Sequence, residues 1–102
     1  MDSALQFLGL LYRGNQLIIG LDVENGLKKN KLKAIVFSED ISESSKKSLE
    51  NLILENRVVT TQYSNKKDIG ESLGKKNITM VGFKNLKSYQ SFITKVEGRV
   101  NQ

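Results

Sequence analysis

The sequence predicts a single domain of the α/β class, a three-layer α/β/α sandwich around a four-stranded mixed sheet. A length of 102 residues is typical of one domain with its own core. Segments with helical spacing alternate with four short apolar runs, in the order αβαβαβαβα. The connections are short and contain no linker or repeat, so residues 1–102 form one domain with helices flanking a largely parallel or mixed sheet.

The first half of the chain supplies two helices and two strands. The first helix has apolar residues at helical spacing, and "RGN" at 13–15 ends it with a glycine. These apolar positions are Ala4, Leu5, Leu8, Leu11 and Tyr12. "LII" at 17–19 predicts a brief strand, after which Gly20 opens a short helix with Val23 and Leu27 facing inward. "AIVF" at 34–37 is continuously apolar, which predicts a strand buried on both faces.

The second half supplies two further strands and three further helices. Ser42 is the expected N-cap of a third helix, whose inward stripe is Ser45, Leu49, Leu52 and Ile53. "VVTTQY" at 58–63 predicts the third strand. Ser64 or Asn65 caps a short helix that ends at Gly74, and "ITMVGF" at 78–83 predicts the fourth strand. Asn85 caps the last helix, whose inward face is predicted to carry Leu86, Tyr89, Ile93 and Val96.

Charge favours an anionic partner, with nucleic acid first. Sixteen Lys and Arg against eleven Asp and Glu give a formal charge of +5, and phosphates attract such a surface through counterion release. Solubility alone is the alternative. The chain has no signal-peptide pattern, and its longest apolar run is far short of the ~20 residues that span a bilayer. We therefore expect a cytoplasmic protein without a membrane partner.

Composition also argues against catalysis and against a cofactor. Zero His and zero Cys remove the Ser-His-Asp and Cys-His triads and the usual zinc ligands. The one dense acidic cluster is Glu39, Asp40 and Glu43, and it stands where the third helix begins. Complementing the dipole of that helix is its expected role, and a small carboxylate enzyme is the alternative. The prediction is no enzyme, no cofactor and no metal.

The segment "DIGESLGKK" at 68–76 contains two glycines and a lysine pair, which raises the possibility of a phosphate-binding loop. A P-loop needs four residues between its glycines and then Gly-Lys followed by Ser or Thr. Only three residues separate Gly70 from Gly74, and Lys76 stands where the hydroxyl should be. The structural expectation is that Gly70 allows close packing and that Gly74 ends the short helix in a left-handed conformation.

Three stretches agree in order and spacing with one known family. They are "LGLLYRGNQLIIG" at 8–20, "AIVFSEDISESSKKSLENL" at 34–52 and "KKDIGESLGKK" at 66–76. They resemble the kink-turn RNA-binding ribosomal proteins typified by archaeal ribosomal protein L7Ae, in particular short bacterial members of the YlxQ type. The likeness covers residues 5 to about 96. It implies an α/β/α sandwich and a non-enzymatic RNA-binding protein of the ribosomal type.

The resemblance also implies where RNA would bind. In the family, the start of helix two and the loop after the short helix grip bent RNA through a run Gly-x-Asn-Glu-x-x-Lys. Gly20 matches the leading glycine, and counting forward puts Asp22, Val23 and Gly26 in the Asn, Glu and Lys places. Counting back from Asp40 shifts the register by one and puts Asn25 in the Lys place. Either way a carboxylate at Asp22, which is expected to cap the helix, faces RNA and the motif lysine is missing.

Lysine pairs complete the predicted site. Lys66 with Lys67, and Lys75 with Lys76, flank the short helix and would form a basic rim beside Gly20, while Lys46 and Lys47 are expected to be solvated on the third helix. The predicted RNA-binding residues are Gly20, Asp22, Lys28, Lys29, Lys66, Gly74, Lys75 and Lys76. Structured RNA is the expected partner, the ribosome a further one, and the protein a monomer. The alternative is a protein-interaction module that has lost specific RNA recognition.

Overall fold

The computed structural model describes residues 2–100 and confirms the predicted class, a mixed α/β fold with a four-stranded mixed sheet. Among these residues the helices are α1 (Ser3–Arg13), α2 (Asp22–Lys28), α3 (Glu43–Lys47), α4 (Glu50–Glu55), α5 (Lys66–Ser72) and α6 (Leu86–Val100). The strands are β1 (Leu17–Ile19), β2 (Ala34–Phe37), β3 (Val59–Gln62) and β4 (Met80–Phe83). The longest described helix, α6, has 15 residues, and none is long and apolar enough to cross a membrane.

The sheet has the strand order β1-β4-β2-β3. Strand β4 is antiparallel to both of its neighbours, β1 and β2, and β2 is parallel to β3. Strands β1, β2 and β3 therefore run in the same direction and finish at one end of the sheet, where β4 begins. Because β1 leads into Gly20, we call this the Gly20 end.

Two apolar layers enclose the sheet. Helices α1, α5 and α6 pack on one face, and α2 with the α3–α4 segment packs on the other. Strand β2 contributes to both layers, with Ala34 and Val36 in the first and Ile35 and Phe37 in the second. All four side chains are buried, as the continuous apolar run predicted. The three-layer arrangement holds the loops at each end of the sheet on a packed core.

The predicted helix starts are confirmed by their capping bonds. The Ser42 hydroxyl accepts the Ser45 N–H at 3.2 Å. The Asn65 side chain, one of the two candidates, accepts the Asp68 N–H at 2.8 Å. The Asn85 side chain accepts the Lys87 N–H at 2.7 Å. Each polar side chain satisfies an N–H that has no partner within the first turn of the helix.

The predicted third helix is divided into α3 and α4, because serine side chains compete with the helical ladder. The Ser48 hydroxyl donates to the Ser45 carbonyl at 2.8 Å. The Leu49 N–H bonds the Lys46 carbonyl, three residues back, at 3.1 Å. This turn places Leu49 in the core with 1% of its surface exposed. Local serine chemistry and the burial of one leucine therefore bend the segment.

Gly14 is the C-cap of α1, which confirms the predicted end of that helix, and Asn15 after it adopts the left-handed conformation with φ 60°. The predicted inward face of α6 needs correction. On α6, Leu86 is 43% exposed, whereas Phe92, which the predicted inward face lacked, is fully buried. Phe92 packs edge-on against Tyr63 with ring centroids 5.7 Å apart. The aromatic contact decides which side of α6 faces the sheet.

Candidate nucleic-acid interface

Four loops meet at the Gly20 end and are joined by backbone hydrogen bonds. The Gly20 N–H donates to the Met80 carbonyl at 3.0 Å, which ties the end of β1 to the start of β4. The Glu39 N–H donates to the Ser64 carbonyl at 2.8 Å, joining the loops after β2 and β3. The Ile78 N–H donates to the Lys66 carbonyl at 3.0 Å. These bonds fix the relative positions of the loops without using the exposed side chains.

Gly20 adopts a backbone conformation that L-residues disfavour. Its φ is +63°, and its carbonyl accepts the Val23 N–H at 3.1 Å to begin the turn into α2. A Cβ at this position would meet only Ile78 Cδ1, at an ordinary contact distance of 3.7 Å. The glycine is therefore required by backbone conformation more than by lack of space.

The exposed face of α2 distinguishes the two registers of the motif. Val23 is fully buried, and Gly26 is buried so closely that a Cβ there would lie 3.0 Å from Ile18 Cδ1. Neither residue can meet a ligand at the surface, so the forward count is excluded. Leu21, Asp22 and Asn25 are exposed and occupy the Asn, Glu and Lys places in the backward count. The helix thus presents an apolar side chain, a carboxylate and an amide.

Asp22 does not cap α2, contrary to expectation. It is the first residue of the helix, Leu21 holds the N-cap position, and no side chain accepts a capping bond there. The carboxylate of Asp22 instead stands in the first turn, where the helix dipole favours negative charge. Its charge is thus free to act on a ligand at this end.

Asp40 has a structural role that the acidic cluster did not reveal. Its carboxylate accepts the Lys66 N–H, the first N–H of α5, at 3.0 Å. The nearby Ser38 hydroxyl, and to a smaller extent this N–H, lowers the pKa of the Asp40 carboxyl below its ordinary value. The cluster was expected to serve the third helix, but only Glu43 does so, in the first turn of α3. Asp40 joins the β2 loop to α5.

The loop after α5 is set by two glycines, as expected. Gly74 has φ +72°, its N–H donates to the Glu71 carbonyl at 3.2 Å, and the Lys75 N–H donates to the Gly70 carbonyl at 2.8 Å. This pair of bonds is the Schellman arrangement that ends a helix. A Cβ on Gly70 would overlap with the Lys76 carbonyl oxygen. Gly70 therefore lets the lysine-bearing loop lie directly against α5.

The structure brings some of the predicted lysines to the Gly20 end and places others elsewhere. Lys66, Lys75 and Lys76 are exposed around the start of α5 and its following loop, and the Lys75 ammonium lies 5.9 Å from the centre of the Tyr12 ring. Lys28 and Lys29 lie at the far end of α2, about 9 Å along the helix from Asp22. Lys28 forms an ion pair with Glu24 at 3.1 Å.

Two features of this end were missed by sequence reasoning. Leu21 is 94% exposed at the tip of the turn before α2, although its position in an apolar run gave no sign of this. Ser64 adopts φ +63° without being a glycine, and its carbonyl accepts the Glu39 N–H. Left-handed serine has no sequence signal beyond its place between a strand and a helix cap. No cluster of potential metal ligands occurs among the described residues.

Residues 3–92 match the sequence model of the ribosomal protein L7Ae/L30e/S12e/Gadd45 family. The chain belongs to this family. Members of the L7Ae family are generally non-enzymatic structural RNA-binding proteins. The family suggests RNA binding of the ribosomal type.

A solved structure shares the fold of this chain. A protein of unknown function from Bacillus halodurans superposes with a TM-score of 0.84 at 20% sequence identity, over 95% of this chain and 99% of that one. At this identity the likeness concerns the fold alone. No curated protein sequence matches the chain significantly.

Proposed function

We propose that the protein is a non-enzymatic RNA-binding protein that contacts structured RNA through the Gly20 end. One observation carries the proposal. In a member of an RNA-binding family, backbone hydrogen bonds hold the exposed start of α2, the start of α5 and the Gly74 loop around one rigid surface. Lys66, Lys67, Lys75 and Lys76 border this surface and supply cations for phosphate.

The mode of recognition that fits these side chains is contact with RNA shape and backbone. The backward register replaces the family's base-reading Asn and Glu by Leu21 and Asp22, and its Lys by Asn25. Asp22 keeps the acceptor oxygens of the Glu place, but Leu21 lacks the amide donors of Asn and Asn25 lacks the positive charge of Lys. Leu21 offers an apolar surface to an unstacked base. Sequence-general binding of structured RNA is therefore favoured over base-specific kink-turn recognition.

The finer assignments follow the same proposal. We place the protein among short bacterial members of the family, in the cytoplasm, as a monomer on ribosomal or other structured RNA. Crosslinking and sequencing of RNA bound in cells would test the ribosomal partner. Sedimentation of the free protein would test the monomer.

Salt-dependent RNA binding tests the location of the site. Replacing Lys75 and Lys76 by Ala should lower the salt slope by roughly one to two units, because each phosphate contact contributes about 0.7 to 0.9. Lys46→Ala with Lys47→Ala is the matched control on α3, where Lys46 lies 3.8 Å from Glu43. Filter binding to a structured RNA measures both variants. Equal losses would mean diffuse attraction and no site.

The second candidate is a protein-interaction module that uses the same end. The observation that favours it is Leu21, an apolar side chain that is 94% exposed where the family presents a polar base reader. Absence of RNA binding even at low salt would support this candidate. Affinity that falls with rising salt would support the RNA-binding protein.

A further inference from the structure

The opposite end of the sheet collects lysines from three separate segments. The Lys33 N–H donates to the Phe83 carbonyl at 2.8 Å, and the Lys84 N–H donates to the Gln16 carbonyl at 3.2 Å. These bonds place the start of β2, the end of β4 and the start of β1 side by side. We call this the basic end, and its cations are Arg13, Lys28, Lys29, Lys31, Lys33, Lys84 and Lys87. It holds seven of the sixteen cations in the chain.

Carboxylates do not balance this charge. Segments 13–16, 28–33 and 84–88 contain no acidic residue. Among the described side chains, Lys28 is the one cation of the basic end with an ion pair, to Glu24. The Gly20 end differs, because Asp22, Glu39 and Asp40 stand among its lysines. The positive potential is therefore concentrated away from the surface that the family motif predicted.

Helix stability explains only part of the basic end. Cations near the last turn of a helix are favoured by its dipole, which accounts for Arg13, Lys28 and Lys29. Lys87 has the opposite placement, in the first turn of α6, where there is no acidic residue to offset it. The side chains of Lys31 and Lys33 lie beyond the last turn of α2, in the connection before β2, where the helix dipole gives no reason for a positive charge. A negatively charged partner would offset the repulsion that these residues create.

A groove lined by both polar and apolar side chains runs along β1 between the two ends. Strand β1 is an outer strand with β4 as its one neighbour in the sheet. The volume of the groove is about 270 Å³. Its polar lining comprises Asn15, Asp22, Asn25, Lys29, Lys31 and Lys84. Asp22 belongs to the Gly20 end and the three lysines to the basic end. A strand of ligand at the start of α2 thus has a continuous path to the basic end.

The lysines of this groove are held on rigid backbone. Asn30 adopts φ +55°, and the Lys31 N–H donates to the Gly26 carbonyl at 2.9 Å, which fixes the turn after α2. The Lys84 ammonium donates to the Asn15 carbonyl at 3.1 Å and lies 3.3 Å from Asn15 Oδ1. Charges in fixed positions lose less entropy when they bind than charges on mobile loops.

We propose that the basic end is a second RNA-binding surface, which holds the phosphate backbone of a segment that continues past the Gly20 end along the β1 groove. RNA as the ligand class rests on the proposed function. The choice over an acidic protein follows from the arrangement of the cations, which are spread as separate charges along the groove and across three segments. A phosphate backbone carries charge continuously along such a path, and the Asn15 and Asn25 amides can donate to phosphate oxygens.

Three variants with the same loss of charge test this surface. The basic-end variant is Lys31→Gln/Lys33→Gln/Lys87→Gln, and the Gly20-end variant is Lys66→Gln/Lys75→Gln/Lys76→Gln. The control is Lys46→Gln/Lys47→Gln/Lys95→Gln on α3 and α6. Each is measured by filter binding across salt concentrations on two RNAs. One is a short hairpin, and the other is the same hairpin lengthened by a duplex. Thermal unfolding confirms that each variant is folded.

We expect the lengthened RNA to bind wild type with a steeper salt slope than the short one, by about two units. The basic-end variant should lose this difference, bind the lengthened RNA roughly tenfold more weakly, and bind the short hairpin as wild type does. The Gly20-end variant should weaken both RNAs equally. If the Gly20-end variant binds both RNAs as wild type does while the basic-end variant loses affinity, the second RNA-binding surface is supported. The proposed site at the Gly20 end is then wrong.

Other outcomes would overturn the second surface. They are an equal loss in the basic-end and control variants, a loss by the basic-end variant on both RNAs alike, and no gain from lengthening the hairpin. Polyglutamate is a further probe. If it displaces the lengthened RNA as well as an RNA of equal charge does, then the basic end is a general anion surface and the assignment to RNA fails.

Discussion

The two ends of the sheet differ in loop geometry and in charge, although the same strands lead to both. At the Gly20 end, backbone bonds between loops and the Asp40 carboxylate on the Lys66 N–H produce a defined shape whose charge is mixed. At the basic end, seven cations gather without an acidic neighbour on their own segments. Shape and charge are therefore separated in this molecule. One end presents loops in a fixed arrangement, and the other presents a concentration of positive charge.

Residues in the left-handed backbone conformation occur at both ends of the sheet but have different structural roles. Gly20, Ser64 and Gly74 have positive φ at the Gly20 end, where they turn the chain between a strand and a helix or close α5. Asn15 and Asn30 in the segments of the basic end, and Arg57 before β3, have positive φ, each just after the end of a helix. The first set turns the chain at the Gly20 end, where Gly74 also ends α5, whereas all members of the second set only end helices. Substitutions in the two sets should therefore have different consequences.

The largest effect on stability should come from a substitution at Gly70, which should disturb the Gly20 end and not the basic end. A methyl group at Gly70 would overlap with the Lys76 carbonyl, and a backbone atom cannot move aside without displacing the loop. Gly70→Ala should destabilise the protein by about 3 kcal/mol in urea unfolding. It should weaken binding of the short hairpin and leave the contribution of the basic end intact.

Gly98 provides the control for this prediction. It lies in α6, and a Cβ there would have no neighbour within 4 Å. Gly98→Ala should stabilise the protein by up to ~1 kcal/mol, because alanine favours the helix and nothing obstructs it. A Gly70→Ala variant as stable as wild type would contradict the close packing of the loop on α5.

Much of the fold is predictable because its signals are local. The runs at 17–19 and 34–37 coincide with β1 and β2, and side-chain caps at Ser42, Asn65 and Asn85 mark three helix starts. Each depends on residues within one turn or one strand. Sequence periodicity and capping chemistry therefore suffice for them.

The candidate site is less predictable because its geometry depends on distant partners. Lys28 and Lys29 follow Gly20 closely in sequence, yet α2 carries them toward the opposite end of the sheet. Asp40 and Lys66 are 26 residues apart and meet through the parallel pairing of β2 and β3. The break at Leu49 depends on which apolar side chain the core accepts. Contacts of this kind cannot be predicted from the sequence until the strand order and the helix positions are known.

Gly20 should have the next largest effect, since it tests whether conformation or space shapes that end. Gly20→Ala places a Cβ in the left-handed region and should cost roughly 1–2 kcal/mol in unfolding free energy. Gly20→Asn is the matched variant and should cost less, because asparagine tolerates this conformation. If both substitutions lower the unfolding free energy by the same amount, the loss comes from crowding near Ile78 and not from backbone conformation.

Arg57 tests the second set of left-handed residues, because its conformation serves only to end α4. Its φ of +54° is unfavourable for a residue with a long side chain. Arg57→Gly should stabilise the protein by about 0.5–1 kcal/mol in urea unfolding. Arg57→Ala removes the same charge but keeps the Cβ, so it should not reproduce the gain. A gain in both would assign the effect to charge.

The smallest effect should come from Asp22, where the two ends meet in the β1 groove. Asp22→Asn removes a favourable charge from the first turn of α2, so the unfolding free energy should fall by about 0.5 kcal/mol. Because that charge also faces the proposed RNA path, affinity should rise roughly threefold. Glu50→Gln on α4 is the control and should not change affinity. The gain should be equal on every RNA, because Asp22 stands in the family's Glu place and its replacement restores no base-reading Asn. A gain confined to RNAs with tandem sheared G·A pairs would contradict this register. No gain on any RNA would contradict the placement of α2 against the ligand.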